Sequence, residues 1–188
     1  TVVVSTVPTA AGIITGSASS CTNSNGNIYF IADIPTATGY NWTLPTGATI
    51  TAGTNTRSIT VSFATAGGII QVTPTNTCGN GTVSANYAIT VNPTSVGGSI
   101  AGNTSVCSGI NSTTLTLSGY TGTITKWQSS TSSTFASSVS DIANITTTLT
   151  ATNLATTTYY RAVVTSGACS SANSSTATVT VNTLSTAP

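Results

Sequence analysis

The chain has no histidine, no glutamate and no methionine, and only five of its 188 residues are charged. These are Asp33, Arg57, Lys126, Asp141 and Arg161, for a net charge of +1. Each absence excludes a class of function. Without histidine or glutamate, and with its two aspartates at non-equivalent places in the chain, the sequence offers no pair for general acid–base work. Serine is plentiful, but a hydroxyl without a neighbouring base is not a nucleophile. The reading is therefore non-catalytic. Two carboxylates fall short of what a calcium site ordinarily gathers. Four cysteines without close pairs, and no histidine, do not make a zinc site. No metal and no cofactor is expected. A net charge of +1 supplies no basic patch for nucleic acid. No apolar run approaches the ~18 residues of a spanning helix, so membrane insertion by this segment is not expected, and no leader peptide is seen in it.

What is present is threonine (44 residues) and serine (27), set among valine and isoleucine. β-Branched residues suit a pleated, half-buried surface. Period-2 alternation is plain in RSITVSF (57–63), which places Ile59, Val61 and Phe63 on one face. VSANYAITV (83–91) reads the same way, with Val83, Ala85, Tyr87, Ile89 and Val91 together. In the second half TLTLS (114–118), ITKWQSS (124–130), TTTLTAT (146–152), YYRAVVT (159–165) and TATVTV (176–181) are further strands. Asn25-Gly26 and Gly79-Asn80-Gly81 mark turns.

The two halves repeat. GIITGSASSC (12–21) matches GSIAGNTSVC (98–107) at an offset of 86 residues, and Trp42 matches Trp127 at 85. Each half ends in a strand with a Val-Asn pair, at 91–92 and 181–182. Repeats of this length are whole domains rather than solenoid units. The organisation expected is all-β, two tandem Ig-like/PKD-like β-sandwiches over 12–93 and 94–188. Residues 1–11, TVVVSTVPTAA, read as the terminal strand and linker of a preceding repeat. Two rivals are a long first strand of the first domain and a strand donated to a neighbouring subunit.

The repeat favours disulfides Cys21–Cys78 and Cys107–Cys169 among three possible pairings, in an oxidising compartment. Trp42 and Trp127 read as core, whereas Tyr40, Tyr120 and Phe135 are candidates for exposed contacts. Uncharged edge strands lack the lysines that usually discourage edge-to-edge pairing. Lateral association is therefore the first alternative to a stalk.

The strings TATGYNWTLPTGATITAG (36–53), SITVSF and TNTCGNGT resemble the PKD-like domains of very large secreted proteins of Bacteroidota. LTLSGYTGTITKWQSS (115–130) and TATNLATTTYYRAVVTSGACSS (150–171) resemble the Ig-like or fibronectin-like repeats of the same proteins, gliding-motility adhesins of the SprB type included. Leu154…Tyr160 resembles a tyrosine corner, a packing device. The antibody cysteine pattern is not reproduced, since Asn76 and Gly167 stand where its tyrosine would, so disulfides near the domain ends are expected. The resemblance implies a non-catalytic segment of a bacterial cell-surface adhesin or extracellular fibre, exported by the type IX system. Its partners would be neighbouring repeats and surface polysaccharide. A self-assembling filament subunit and a carbohydrate-binding module are the alternatives.

Overall fold

A computed structural model describes residues 6–183. The opening strand expected at 1–7 lies largely outside the described residues. Two compact units part between Pro93 and Thr94, and among the described residues both are built of strands, turns and loops without a helix.

In the first unit the strands are β1 (Ser19–Cys21), β2 (Asn27–Phe30), β3 (Gly39–Thr43), β4 (Thr49–Ala52), β5 (Ser58–Ser62), β6 (Gly68–Asn76), β7 (Gly79–Asn80) and β8 (Tyr87–Asn92). They form one sheet in the order β1-β8-β6-β3, with β7 hairpinned onto β6, and a second sheet β2-β5-β4. The alternation in RSITVSF does what it predicts: Ile59, Val61 and Phe63 are buried between the sheets. Tyr29, Ile31, Ile70, Val72 and Ile89 complete the core.

The second unit repeats the plan. Its strands are β9 (Ser99–Ala101), β10 (Thr104–Cys107), β11 (Ser112–Ser118), β12 (Thr123–Ser130), β13 (Ser140–Ile142), β14 (Thr148–Thr152), β15 (Thr158–Thr165), β16 (Ala172–Asn173) and β17 (Ala177–Asn182). The sheets are β10-β17-β15-β12-β13, with β16 on β15, and β14-β11-β9. In each unit the last strand runs parallel to an early one: Cys21 lies opposite Asn92, and Cys107 opposite Asn182. Both indoles also bond alike. Trp42 Nε1 donates to Thr56 O at 2.9 Å and Trp127 Nε1 to Thr146 O at 3.0 Å. Trp127 is fully buried and Trp42 partly so, packed against the margin of its core.

The reading of 83–91 as one alternating strand is corrected. Val83 is 46% exposed, while Ser84 is buried and the strand proper begins at Tyr87. The cause is a serine that bonds the backbone. Ser84 Oγ accepts from Val72 N (3.1 Å) and donates to Ala85 O (3.0 Å). Such local side-chain bonds compete with ladder pairing and let the chain turn inward. Ser174 does the same in the second unit, accepting from Ala162 N (2.8 Å) and donating to Ser175 O (2.9 Å). Replacing either serine with alanine strands a buried backbone N–H and is expected to cost about 1–3 kcal/mol. Chemical denaturation of each variant checks this, and Ser84→Ala and Ser174→Ala should act in their own unit only.

The sheet edges carry a single charge, Asp141 on β13, but they do not leave long templates for pairing. Edge strands β1, β9 and β13 have three residues each, β2, β4 and β10 have four, and β3 and β14 have five. A register shift between Ile50 and Ala52 also disrupts β4. Short, bulged edges are a recognised defence against edge-to-edge association.

Candidate functional site

Three of the chain's five charged residues, Lys126, Asp141 and Arg161, gather in one place. On the outer face of the larger sheet of the second unit, three cross-strand neighbours line up: Gln128 on β12 faces Asp141 on β13 and Arg161 on β15. A bulge puts them there. The β12–β15 register shifts between Ile124 and Lys126, and this changes the phase of the alternation. Ile124 and Trp127, three residues apart, both point into the core. Lys126 and Gln128 are thereby turned outward. Bulges commonly re-aim side chains in this way.

The outward groups form a continuous relay. Lys126 Nζ donates to Asp141 Oδ2 at 2.7 Å, and Gln128 Nε2 donates to Asp141 Oδ1 at 2.8 Å. Gln128 Oε1 in turn accepts from Arg161 Nε at 2.8 Å. Beneath the guanidinium lies the Phe135 ring, 4.2 Å from Arg161 Cζ to its centroid. Phe135 takes a positive φ of 56°, unusual for a residue with a bulky side chain, and Ser138 in the same loop takes 55°. Ser130 Oγ ties this loop down by donating to Ser137 O at 2.8 Å.

The hydrogen bonds from Lys126 and then Gln128 hold the Asp141 carboxyl below the usual carboxylate range. A depressed folded-state pKa gives stability that is present above the unfolded value and lost as pH falls through the folded one. The thermal midpoint of the second unit is therefore expected to stay level down to about pH 4 and fall below it. Asp141→Asn should remove the acid-side fall that this group contributes, as seen in thermal melts across pH. In the first unit Arg57 and Asp33 stand 3.9 Å apart with both side chains more than half exposed. An exposed pair of this kind adds little to stability.

Of the other residues singled out from sequence, Tyr40 and Phe135 are buried, which corrects the expectation that they face solvent. Tyr40 packs in the first core, and Phe135 is covered by Arg161. Tyr120 is half-buried against the second core. Tyr160 is buried, and burial raises its phenol pKa.

The cysteines depart from expectation as well. Cys21 and Cys169 are disulfide-bonded, whereas Cys78 and Cys107 are exposed and take no part in that bond. The register explains why the pairings Cys21–Cys78 and Cys107–Cys169 do not form. Cys21 sits at the exit end of β8. Antiparallel β6 starts near that end and carries Cys78 past its far end, in the turn before β7. Nine or more residues at ~3.3 Å each separate the two cysteines by about 30 Å. A disulfide needs Cα atoms within about 7 Å. Cys107, opposite Asn182, and Cys169, in the turn after β15, are separated in the same way. Each unit therefore holds its first cysteine at one end of the sheet and its second at the other.

Two family models match separate stretches of the chain. Residues 7–89 match the model of the PKD-like domain, and residues 96–183 match that of a domain of unknown function, DUF8696. No curated protein matches the chain. Among solved structures, an I-band fragment from titin is 12% identical with a TM-score of 0.54, over 95% of this chain and 66% of that one. A marsupial T cell receptor is 11% identical with a TM-score of 0.57, over 94% and 74%. A mouse coronavirus receptor-binding domain complexed with its murine receptor gives 16% and 0.58, over 90% and 100%. At such identities the likeness is one of fold alone. The chain is all-β, similar over its first half to PKD-like domains and in fold to the tandem sandwiches of immunoglobulin-type proteins.

Proposed function

We propose that this chain is a non-catalytic structural and adhesive segment of a large repetitive protein on a bacterial cell surface. The observation that carries the reading is the duplication of one plan. Both units place a last strand parallel to an early one, an indole N–H on a facing carbonyl, and a buried serine at the same bend. Disulfide-bonded Cys21 and Cys169 support an oxidising, extracellular setting. The resemblance to Bacteroidota repeats supports a surface adhesin of the gliding-motility kind, exported by the type IX route. Neighbouring repeats of the same protein are its first partners. The short edges argue against lateral pairing as the means of assembly.

Antibodies raised against this chain test the location. Labelling of intact, unpermeabilised cells is the expected result, and labelling only after permeabilisation would sink the reading.

A further inference from the structure

We propose that Arg161 is a binding site for the carboxylate of an acidic saccharide, a hexuronate unit in a polymer. The inference rests on the adhesive reading and gives it a ligand.

Asp33 stands beside Arg57, and Asp141 is engaged by Lys126. The chain's net charge of +1 is thus located at Arg161, whose partner Gln128 is neutral. The guanidinium is also held in place. Its Nε is fixed by Gln128 and its Cζ lies 4.2 Å from the Phe135 ring centroid, so less side-chain entropy remains to be lost on binding. Arg161 is partly exposed, and among the described residues no further hydrogen bond of it is found, which leaves its two Nη groups as donors for a ligand. A planar guanidinium held beside an aromatic ring suits bidentate contact with a carboxylate. The ring is placed there by a backbone conformation that costs energy, since Phe135 is left-handed. Strain of this sort tends to collect at sites where geometry is used.

The neighbouring side chains favour a saccharide over an acidic peptide. Tyr160 points into the core, so Tyr159 shares the outer face with Arg161 and is partly exposed. Residues two apart on a strand lie roughly 7 Å from each other. That spacing lets a sugar ring lie on the tyrosine while its carboxylate meets the guanidinium. Cross-strand Thr178 adds a hydroxyl beside Tyr159. A single cation binds a single carboxylate weakly. The site becomes effective when a repetitive protein meets a polymer of repeated uronates, through avidity.

Tri-galacturonate, maltotriose and tri-glutamate are titrated into the whole chain while the Arg161 Nε–H and Tyr159 ring signals are followed by NMR. Tri-galacturonate should shift both signals, with millimolar affinity that weakens as salt is added. Maltotriose should be at least ~10-fold weaker. Arg161→Gln should abolish the shift at Tyr159. Arg161→Lys should weaken binding by ~10-fold, because charge without the fork is insufficient. Arg57→Gln should change nothing. Three outcomes would overturn the proposal: equal binding of maltotriose, tighter binding of tri-glutamate, or binding of tri-galacturonate that survives Arg161→Gln. If Arg161→Gln leaves the chain's adhesion to surfaces intact, the adhesive reading stands and this site is removed from it.

Discussion

Trp127→Ala is expected to destabilise the second unit by about 3–5 kcal/mol, the range for removing a large aromatic from a packed core. Trp127 is fully buried among Leu115, Leu117, Tyr160 and Val164, with its indole nitrogen on the Thr146 carbonyl. Domains of this size have only about 5–15 kcal/mol in total, so the loss is a large fraction of what holds the unit together. Hydrogen exchange followed by NMR reads the effect by strand. Amides of β12 and β15 should lose protection, while those of β5 and β6 keep theirs. Trp127→Phe should be milder, about 1–3 kcal/mol, since it keeps most of the ring but leaves a buried carbonyl without its donor. Equal loss of protection in β5 and β6 would contradict the division of the core into two.

The corresponding test of the first unit is Tyr29. It is fully buried, edge-on to both Phe63 and Tyr87 with ring centroids 6.1 and 6.0 Å away. Its hydroxyl donates to Ser17 O at 2.9 Å. Tyr29→Ala is expected to cost about 3–5 kcal/mol. Burial, with a further contribution from Tyr87, pushes the Tyr29 phenol up to about 12. A raised phenol pKa means that the neutral form is favoured in the fold. The stability it contributes is complete below the unfolded value, about 10, and is lost as pH rises through about 12. Denaturation followed across pH 8–12 should show the first unit weakening from about pH 10 upward. Tyr29→Phe should flatten that alkaline limb. An unchanged limb in this variant would show that Tyr29 is not its source.

Strand content was legible because alternation survives wherever packing alone decides, as in Ile59, Val61 and Phe63. It failed where a side chain takes over backbone bonding. Ser84 looks like any polar residue on a wet face, yet it is buried and ends the ladder. Its signal was available only in hindsight, as the matching Ser174. The cysteines misled for a different reason: a repeat shows that two positions correspond, not that two residues meet. Distance along the sheet decides that, and it depends on β6 and β8 being antiparallel neighbours. The charged site was the least visible. Lys126, Asp141 and Arg161 are scattered over 36 positions. They converge through pairing register and a bulge, joined by Gln128, a neutral residue whose place between them no sequence pattern shows. Phe135 read as exposed because loops usually are; its burial depends on the arginine that lies over it.

The most direct test of the proposed function is adhesion under flow. Beads carrying the chain by a single terminal attachment are passed over films of polygalacturonate, neutral dextran and bare glass at rising shear. Retention on the polyuronate film is expected to grow steeply with the number of chains per bead and to fall with added salt. Retention no greater than that of uncoated beads on every surface, at every coating density, would contradict an adhesive role for this chain.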